Sequence, residues 1–219
     1  MSADMNSDDA VGDVSGPGVR LDLVLGGIKS YVKLGVPASK LMATIGWYGD
    51  DFVCNASGWN TSDWPAHDRC ILYYPPTGPC GQTCVGGGIK SNGWCFSNCT
   101  QDIGSGEAAD LHEWLQHNGA RVSDVMIGDD GISLFYQYIS PTDGRRHQVW
   151  ADSPGAIRAK VAAIAKTGVK GSGMWTANAF HRRGEAVNAA AGAAMFDAMR
   201  GGGGGGGYGG RGWFDPERM

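Results

Sequence analysis

Short apolar strands alternate with helices along this chain, and this order constrains its fold more than any other feature. Residues 20–34 place apolar side chains on one helical face, and residues 40–49 (KLMATIGWYG) have the composition of a short strand. A helix is predicted over 153–166, a strand within 166–180 and a last helix over 185–199. Alternation of this kind favours an α/β fold, in which helices flank a parallel sheet.

The middle of the chain departs from the alternation. ISLFYQYIS (132–140) and RHQVWAD (146–152) surround the turn sequence PTDGR, which predicts a hairpin. Residues 106–119 (GEAADLHEWLQHNG) predict a helix that ends at Gly119. Residues 50–105 are rich in cysteine, glycine and proline, and we expect them to form a cross-linked loop.

All six cysteines lie in that loop-rich segment, at Cys54, Cys70, Cys80, Cys84, Cys95 and Cys99. Six cysteines allow 15 pairings, so the sequence assigns none. Three glycosylation sequons overlap them, beginning at Asn55, Asn60 and Asn98, which favours an oxidising, secretory compartment and a glycoprotein. The alternative is a zinc site, since Cys80-x3-Cys84 and Cys95-x3-Cys99 have an admissible ligand spacing and His67 lies upstream.

Charge and hydropathy exclude several functions. The net charge of −4 argues against a fold that binds polyanions as a whole. No run approaches the ~18 apolar residues of a membrane span, and the acidic residues 1–16 do not have the pattern of a signal peptide. The glycine-rich residues 200–219 predict a disordered tail, and the arginines among the glycines leave RNA binding open as a weaker alternative.

Four motifs in order carry a resemblance to a known family. They are MSAD at the start, WYG after the first strand, HQVWADSPGAI before a helix, and GSGMWTAN at the last strand. Together they resemble the C-terminal part of glycoside hydrolase family 18, the chitinase-like barrels, and within it the di-N-acetylchitobiases. The resemblance covers residues 1–199 and implies strands 6 to 8 of a TIM (β/α)8 barrel with a disulfide-rich loop insertion.

The resemblance also implies a chemistry and a set of site residues. In this family the N-acetyl oxygen of the substrate attacks the sugar carbon, while a glutamic acid protonates the leaving oxygen. Trp175 matches the apolar floor under that sugar, and Asp4 of MSAD matches an aspartate that holds the acetamido group. Trp47, Tyr48 and Tyr136 are further candidates for the cleft. The implied partner is an N-acetylglucosamine oligosaccharide or an N-glycan core, with no cofactor, no metal and no membrane partner, and nucleic acid stays only the weaker alternative carried by the tail.

Several of the candidate site residues could instead have a purely structural role in the core. Trp175 is either the sugar-facing floor or core filler, because aromatic residues at strand ends are often merely buried. One of the successive residues Trp47 and Tyr48 must point away from the cleft toward the helices. Tyr136 and Tyr138 share one face of their strand, and Trp150 is expected in the core because QVW alternates within a hairpin strand.

The sequence also departs from the family pattern. The acidic motif Asp-x-x-Asp-x-Asp-x-Glu, which supplies the general acid, does not occur in these 219 residues, so no catalytic residue is assigned. Ala3 and Ala151 replace two tyrosines, and Gly46 replaces a proline. Three strands cannot close a barrel. We therefore expect a fragment of a lysosomal or extracellular glycosidase that is inactive by itself, or alternatively a non-catalytic chitooligosaccharide-binding remnant.

Overall fold

The computed structural model of the chain describes residues 14–56, 64–73, 82–84, 95–97, 100–176 and 189–200. Its α-helices are α1 (Leu21–Lys33), α2 (Ser105–His117), α3 (Pro154–Ala165) and α4 (Ala189–Met199), and a 3-10 turn spans Ala38–Lys40. Its strands are β1 (Met42–Gly46), β2 (Tyr48–Val53), β3 (Gln82–Cys84), β4 (Cys95–Ser97), β5 (Gln101–Gly104), β6 (Met126–Ile127), β7 (Leu134–Ile139), β8 (Arg146–Ala151) and β9 (Gly171–Trp175). The predicted mixture of strands and helices is confirmed.

Two strands far apart in sequence form a parallel pair, as the alternation predicts. β1 pairs with β9 from Met42 opposite Gly171 to Gly46 opposite Trp175. Alternate residues of β1 are buried, with Ile45 fully so, and pack with apolar side chains of α1, α3 and α4. On the other face of the pair, Met42 and Trp175 are exposed. The helices thus cover one face of this strand pair.

The middle of the chain forms a five-stranded antiparallel sheet in the order β5-β2-β8-β7-β6. The predicted hairpin is confirmed, since β7 and β8 pair from Leu134 opposite Ala151 to Ile139 opposite Arg146. We call this sheet together with α2 the sheet module. It is inserted between β1 and α3, so the chain leaves the strand pair after Gly46 and returns to it through α3.

The expectation of a continuous loop over residues 50–105 is wrong at both of its ends. β2 continues to Val53 and β5 begins at Gln101, and both strands belong to the five-stranded sheet. Two adjacent aspartates, Asp50 and Asp51, hide the strand pattern of β2, because carboxylates are rarely buried. Both are nevertheless 1 % exposed, since the sheet supplies partners that the sequence does not show.

Within the sheet module, one face of the five-stranded sheet packs on α2. Ala108, Leu111 and Leu115 of this helix contact Val149 of β8 and further apolar residues of the sheet in one buried cluster. The helix begins at Ser105 and ends as predicted, with Gly119 at φ +68° just beyond it. That φ suits glycine, which has no Cβ.

The opposite face of the sheet is covered by the residues that follow β2. Cys54 and Cys70 form a disulfide there and pack with Phe135 and Trp150. This assigns one of the pairings that the sequence left open. The side chains of the other four cysteines, and so most of the zinc alternative, lie outside the described residues.

The start of α3 also follows its sequence signal. Ser153 caps the helix, because its side-chain oxygen accepts a hydrogen bond from the Ala156 N–H at 3.2 Å, and Pro154 occupies the first helical position. Gly168, at φ +76°, follows the end of the helix. Trp150 is 1 % exposed and stacks on Phe135 with ring centroids 4.6 Å apart, as the core expectation required.

A pair of glycines near the middle of α1 gives a direct test of helix propensity. A Cβ built on Gly26 meets no atom within 4 Å, so Gly26→Ala is expected to raise the free energy of unfolding by about 0.5–1 kcal/mol. The matched control is Gly35→Ala, which has equally open surroundings but φ +91° and should destabilise the protein. Urea unfolding followed by circular dichroism measures both, and equal effects from the two variants would contradict the conformational argument.

Several expectations fall on residues outside this description. Asp4 and residues 201–219 of the glycine-rich tail lie there, as do residues 185–188 of the predicted last helix. Among the helices that are described, none combines the length and the hydropathy needed to cross a bilayer.

Candidate functional site at the ends of the parallel strands

The carboxyl ends of β1 and β9 meet side by side. Gly46 is the register partner of Trp175, and the Trp47 N–H donates a hydrogen bond to the Trp175 carbonyl at 2.9 Å. The indole of Trp175 is not packed away, and the residue is 57 % exposed. The structure thus presents a large flat apolar ring at a strand end, the position at which α/β barrels bind ligands.

The ring of Tyr48 lies against Gly46, the register partner of Trp175. A Cβ built on Gly46 would stand 3.0 Å from Cε1 of Tyr48 and 3.4 Å from its Cδ1, so the phenol ring lies directly over the end of β1. The residue is half-buried. The absence of a side chain at Gly46 therefore leaves space for the Tyr48 ring beside the register partner of Trp175.

Trp47 occupies the opposite side of the strand end. It is fully buried among the side chains between the strand pair and its helices, and its ring meets Phe196 of α4 edge-on at 5.0 Å. Of the two successive aromatic residues, Trp47 is therefore the one that faces the helices. Its backbone joins the site while its indole belongs to the core.

Tyr136 lies apart from the strand pair, in the core of the sheet module. It is 1 % exposed, and its hydroxyl donates a hydrogen bond to the Ala108 carbonyl at 2.9 Å. Burial raises the pKa of this hydroxyl well above its usual range, with the charge of Asp51 adding to the effect. The structure does not bring Tyr136 to the open end of β1 and β9, and Asp4 is not described.

The first turn of α2 is fixed against the same strand end. The Ser105 N–H donates to the Trp47 carbonyl at 3.2 Å, and Tyr48 pairs with Gly104 in the sheet. This arrangement brings Glu107, a half-buried carboxylate, to this end of the molecule, where it accepts a hydrogen bond from the Gly104 N–H at 3.2 Å. Sequence reasoning passed over Glu107, although a glutamate in the first turn of a predicted helix is a usual capping signal.

A buried polar triad lies inside the sheet module. The Tyr138 hydroxyl donates to Asp51 at 2.7 Å, and Nδ1 of His147 lies 2.9 Å from the other Asp51 oxygen. Both aspartate oxygens are thereby satisfied by residues of β7 and β8. Burial, followed by the negative charge of Asp51, raises the pKa of the Tyr138 hydroxyl. The three residues are at most 1 % exposed, so they stabilise the sheet and do not face a ligand.

The other polar residues of HQVWAD also bind protein groups. The Gln148 side-chain oxygen accepts from Trp150 Nε1 at 2.9 Å and from the Ser15 hydroxyl. Asp152 binds the buried Nζ of Lys160 at 2.6 Å. The motif that helped to carry the resemblance therefore holds the sheet module together and joins it to α3.

The described residues at the strand ends are better suited to binding the ring of a ligand than to catalysing a reaction on it. At the strand ends they offer an exposed indole, a phenol and a carboxylate that is already occupied with the α2 backbone. In the part of the chain that the structure describes, no three histidine, cysteine, aspartate or glutamate side chains are arranged to hold a metal ion. The arrangement suits a ligand with an apolar face.

Comparison with known proteins agrees with the motifs. No protein-family model matches the chain. Di-N-acetylchitobiase of Rattus norvegicus is 27 % identical over 177 residues, which are 80 % of this chain and 41 % of that protein. Di-N-acetylchitobiase of Mus musculus is 28 % identical over 155 residues, 70 % of this chain and 35 % of that protein. The chain thus spans less than half the length of these relatives.

A solved structure extends the agreement to the fold. The family 18 chitinase of Cycas revoluta, crystallised with (GlcNAc)3, matches with a TM-score of 0.52 and 15 % identity over 90 % of this chain and 45 % of that chain. At this identity the match concerns the fold alone. Together with the relatives, it confirms the resemblance to glycoside hydrolase family 18 and to its di-N-acetylchitobiases.

Proposed function

We propose that β1 and β9 are the seventh and eighth strands of a TIM barrel, and that their carboxyl ends carry part of a sugar-binding cleft. The parallel register of the two strands supports this assignment, as does the layer of helices on one face. The residues inserted after β1 form the sheet module, which stands where the cleft would open. Residues 1–199 then comprise the partial barrel and its insertion, the sheet module, and 200–219 are a tail. We call β1 and β9 with the helices α1, α3 and α4 the barrel portion.

The proposed function is that of a part of a chitobiase- or chitinase-like glycosidase acting on glycans that contain N-acetylglucosamine. The observation that carries it is the exposed Trp175 at the end of β9. A pyranose ring presents a C–H face, and a flat indole buries that face from water at little entropic cost. The relatives in rat and mouse are di-N-acetylchitobiases, and the cycad chitinase binds (GlcNAc)3.

In this proposal Trp175 is the floor of the subsite in which the substrate's own acetamido group attacks the sugar carbon. Tyr48 forms a second wall beside it, and Asp4 would orient the acetamido group from the preceding strand. Without a positioned acid at the leaving oxygen, such a reaction loses ~10²–10⁴-fold in rate. The acidic motif does not occur in this chain, so we expect the chain by itself to bind and not to hydrolyse.

The disulfide fits a chain that works outside the cytosol. Cys54 and Cys70 are linked in the core of the sheet module, and such bonds persist in oxidising compartments. This supports the lysosomal or extracellular location that the resemblance implies, and it agrees with an N-glycan core or a chitin oligosaccharide as substrate.

Substitution of Trp175 by alanine tests the platform. We expect Trp175→Ala to weaken chitotriose binding at least about fivefold, because burial of apolar surface against the indole contributes on the order of 1–3 kcal/mol. The control is Met42→Ala, since Met42 is 55 % exposed on the same face of the strand pair but at its other end. Titration calorimetry compares the variants, and equal affinities for Trp175→Ala and the parent chain would refute the floor.

A hydrolysis assay distinguishes a part of a glycosidase from a non-catalytic chitooligosaccharide-binding remnant. The chain is expected to release no chromophore from a chitobiose reporter, whether or not it binds chitotriose. Release that persists in Trp175→Ala would contradict the assignment of the site. In a second experiment, the chain is fused to the preceding barrel strands of a di-N-acetylchitobiase, which carry the acidic motif. If this fusion binds chitotriose but does not hydrolyse the reporter, the result would favour a non-catalytic binding remnant.

A further inference from the structure

Positive charge is concentrated in the barrel portion of the chain. Segments 23–49 and 153–176 contain no aspartate or glutamate, and they hold all seven of these basic residues: Lys29, Lys33, Lys40, Arg158, Lys160, Lys166 and Lys170. Lys160 is buried against Asp152, and the other six are exposed. The net charge of −4 for the chain as a whole conceals this separation of charge.

Four of these lysines lie at one end of the strand pair. Lys40 and Lys170 immediately precede the two strands, which are tied there by the Lys170 N–H donating to the Leu41 carbonyl at 2.8 Å. Lys166 caps the carboxyl end of α3, and Lys33 is the last residue of α1. We call Lys33, Lys40, Lys166 and Lys170 the basic end. The two strands separate it from Trp175 by about 15 Å.

None of these four lysines forms an ion pair within the part of the chain that the structure describes. The segment after α3 also approaches the 3-10 turn that ends at Lys40, with 3.9 Å between the Cβ position of Gly168 and the Cβ of Ala38. Uncompensated like charges at one end of a domain attract an anionic surface.

Large apolar side chains are exposed beside these lysines. Leu34, which follows Lys33 at the end of α1, is 81 % exposed. Val32 is 45 % exposed and Tyr31 is 38 % exposed on the last turn of the same helix. Exposed aliphatic side chains next to lysines are typical of surfaces that lie against a bilayer, where the chain ends enter the headgroup region and the cations meet anionic lipids.

We propose that the basic end, with Leu34 at its tip, docks on the surface of an anionic lipid bilayer. The family resemblance implies no membrane partner, and the sequence offers no segment that can span a bilayer, but peripheral docking needs no such segment. The docked orientation turns the Trp175 end away from the lipid, so glycan binding and membrane contact use opposite ends of the strand pair. The inference does not depend on the proposed glycosidase function.

Two observations favour a lipid surface over other anionic partners. An anionic polymer would engage the lysines but would leave Leu34 in water. A second copy of this chain would have to supply a compact acidic patch, whereas the exposed acidic residues of the sheet module lie on different elements, as at Asp102 of β5, Glu113 of α2 and Asp143 of the hairpin turn. A bilayer offers both anionic headgroups and an apolar layer beneath them.

Vesicle co-sedimentation of the full chain tests the proposal. We expect binding to phosphatidylserine–phosphatidylcholine vesicles, weakened by salt, and none to pure phosphatidylcholine. Lys40→Gln and Lys170→Gln should each lower the partition coefficient about fivefold, and Leu34→Ser should lower it about tenfold. The matched control is Arg158→Gln, an exposed cation in the first half of α3, which should leave the partition coefficient unchanged.

Three results would overturn the proposal. The first is no association with the anionic vesicles. The second is a loss of heparin or RNA binding in the lysine variants while Leu34→Ser has no effect on vesicles, which would indicate a polymer site. The third is self-association of the chain that Lys40→Gln abolishes, which would indicate a second copy as the partner.

Discussion

Alanine at Gly49 is expected to destabilise the sheet module strongly. Gly49 lies in β2, and the next residue of the strand, Asp50, is the register partner of Trp150 in β8. A Cβ at position 49 would stand 1.7 Å from the Trp150 carbonyl oxygen and 2.7 Å from its carbonyl carbon. Both atoms are backbone, so the clash cannot be relieved by a side-chain rotation.

Relief would require the two central strands of the sheet to move apart. Such a separation would disturb the stacking of Trp150 on Phe135 and the contacts that Asp51 of β2 makes with His147 of β8 and Tyr138 of β7. We therefore expect a loss of at least about 4 kcal/mol in the free energy of unfolding, at the upper end of single substitutions.

Urea unfolding followed by tryptophan fluorescence measures this effect. The matched control is Gly171→Ala, because Gly171 also lies in a strand but has no atom within 4 Å of its Cβ position. That variant should unfold close to the parent midpoint. A Gly49→Ala protein whose midpoint equals that of Gly171→Ala would contradict the close approach of β2 and β8.

The second large effect is expected at Lys160. Its Nζ is buried and lies within hydrogen-bond distance of four oxygens. They are the two carboxylate oxygens of Asp152, the Ser133 hydroxyl at 3.0 Å and the Val19 carbonyl at 2.8 Å. These partners come from the end of β8, the start of β7 and the residues before α1. Lys160 thus joins α3 of the barrel portion to the sheet module at a single point.

Lys160→Met keeps the apolar stem and removes the charge. Asp152, which is 5 % exposed, would then be left without its cation, and the expected cost is about 3–5 kcal/mol. Lys166→Met, which removes an exposed lysine of the same helix region, serves as the control and should leave the unfolding midpoint unchanged.

A double variant separates loss of the ion pair from loss of packing. Lys160→Met combined with Asp152→Asn leaves no uncompensated charge, so its unfolding free energy should exceed that of Lys160→Met alone. Thermal unfolding of the four proteins gives the coupling between the two side chains. Additive effects of the two substitutions would contradict the ion pair as the source of the loss.

The local elements of this fold were predictable from the sequence. α1 and α3 begin and end within one or two residues of their predicted limits, because their apolar spacing and the Ser153 cap are local signals. The β7–β8 hairpin follows from alternating residues around a turn sequence. The ordered motifs also predicted the similarity to family 18, which the comparisons confirm.

β2 and the site were less predictable. The pair Asp50-Asp51 looked like loop sequence, but an oxygen of Asp51 lies 2.9 Å from Nδ1 of His147, which stands 96 positions later in the chain. Likewise, WYG and HQVWAD gave no sign that Gly49 must be a glycine because the Trp150 backbone lies against it. A contact of this kind depends on which strands become neighbours, and local periodicity carries no information about that.

The sequence by itself determined the α/β character, the helices and the positions of the aromatic residues at strand ends. Only the tertiary structure decided which of those aromatic residues are open to a ligand. Trp47 is buried because helix α4 covers its side of β1, whereas Trp175 is exposed because the described residues place nothing over its face of β9. A tryptophan at a strand end thus becomes a core residue or an exposed platform according to which face of the strand pair the helices cover.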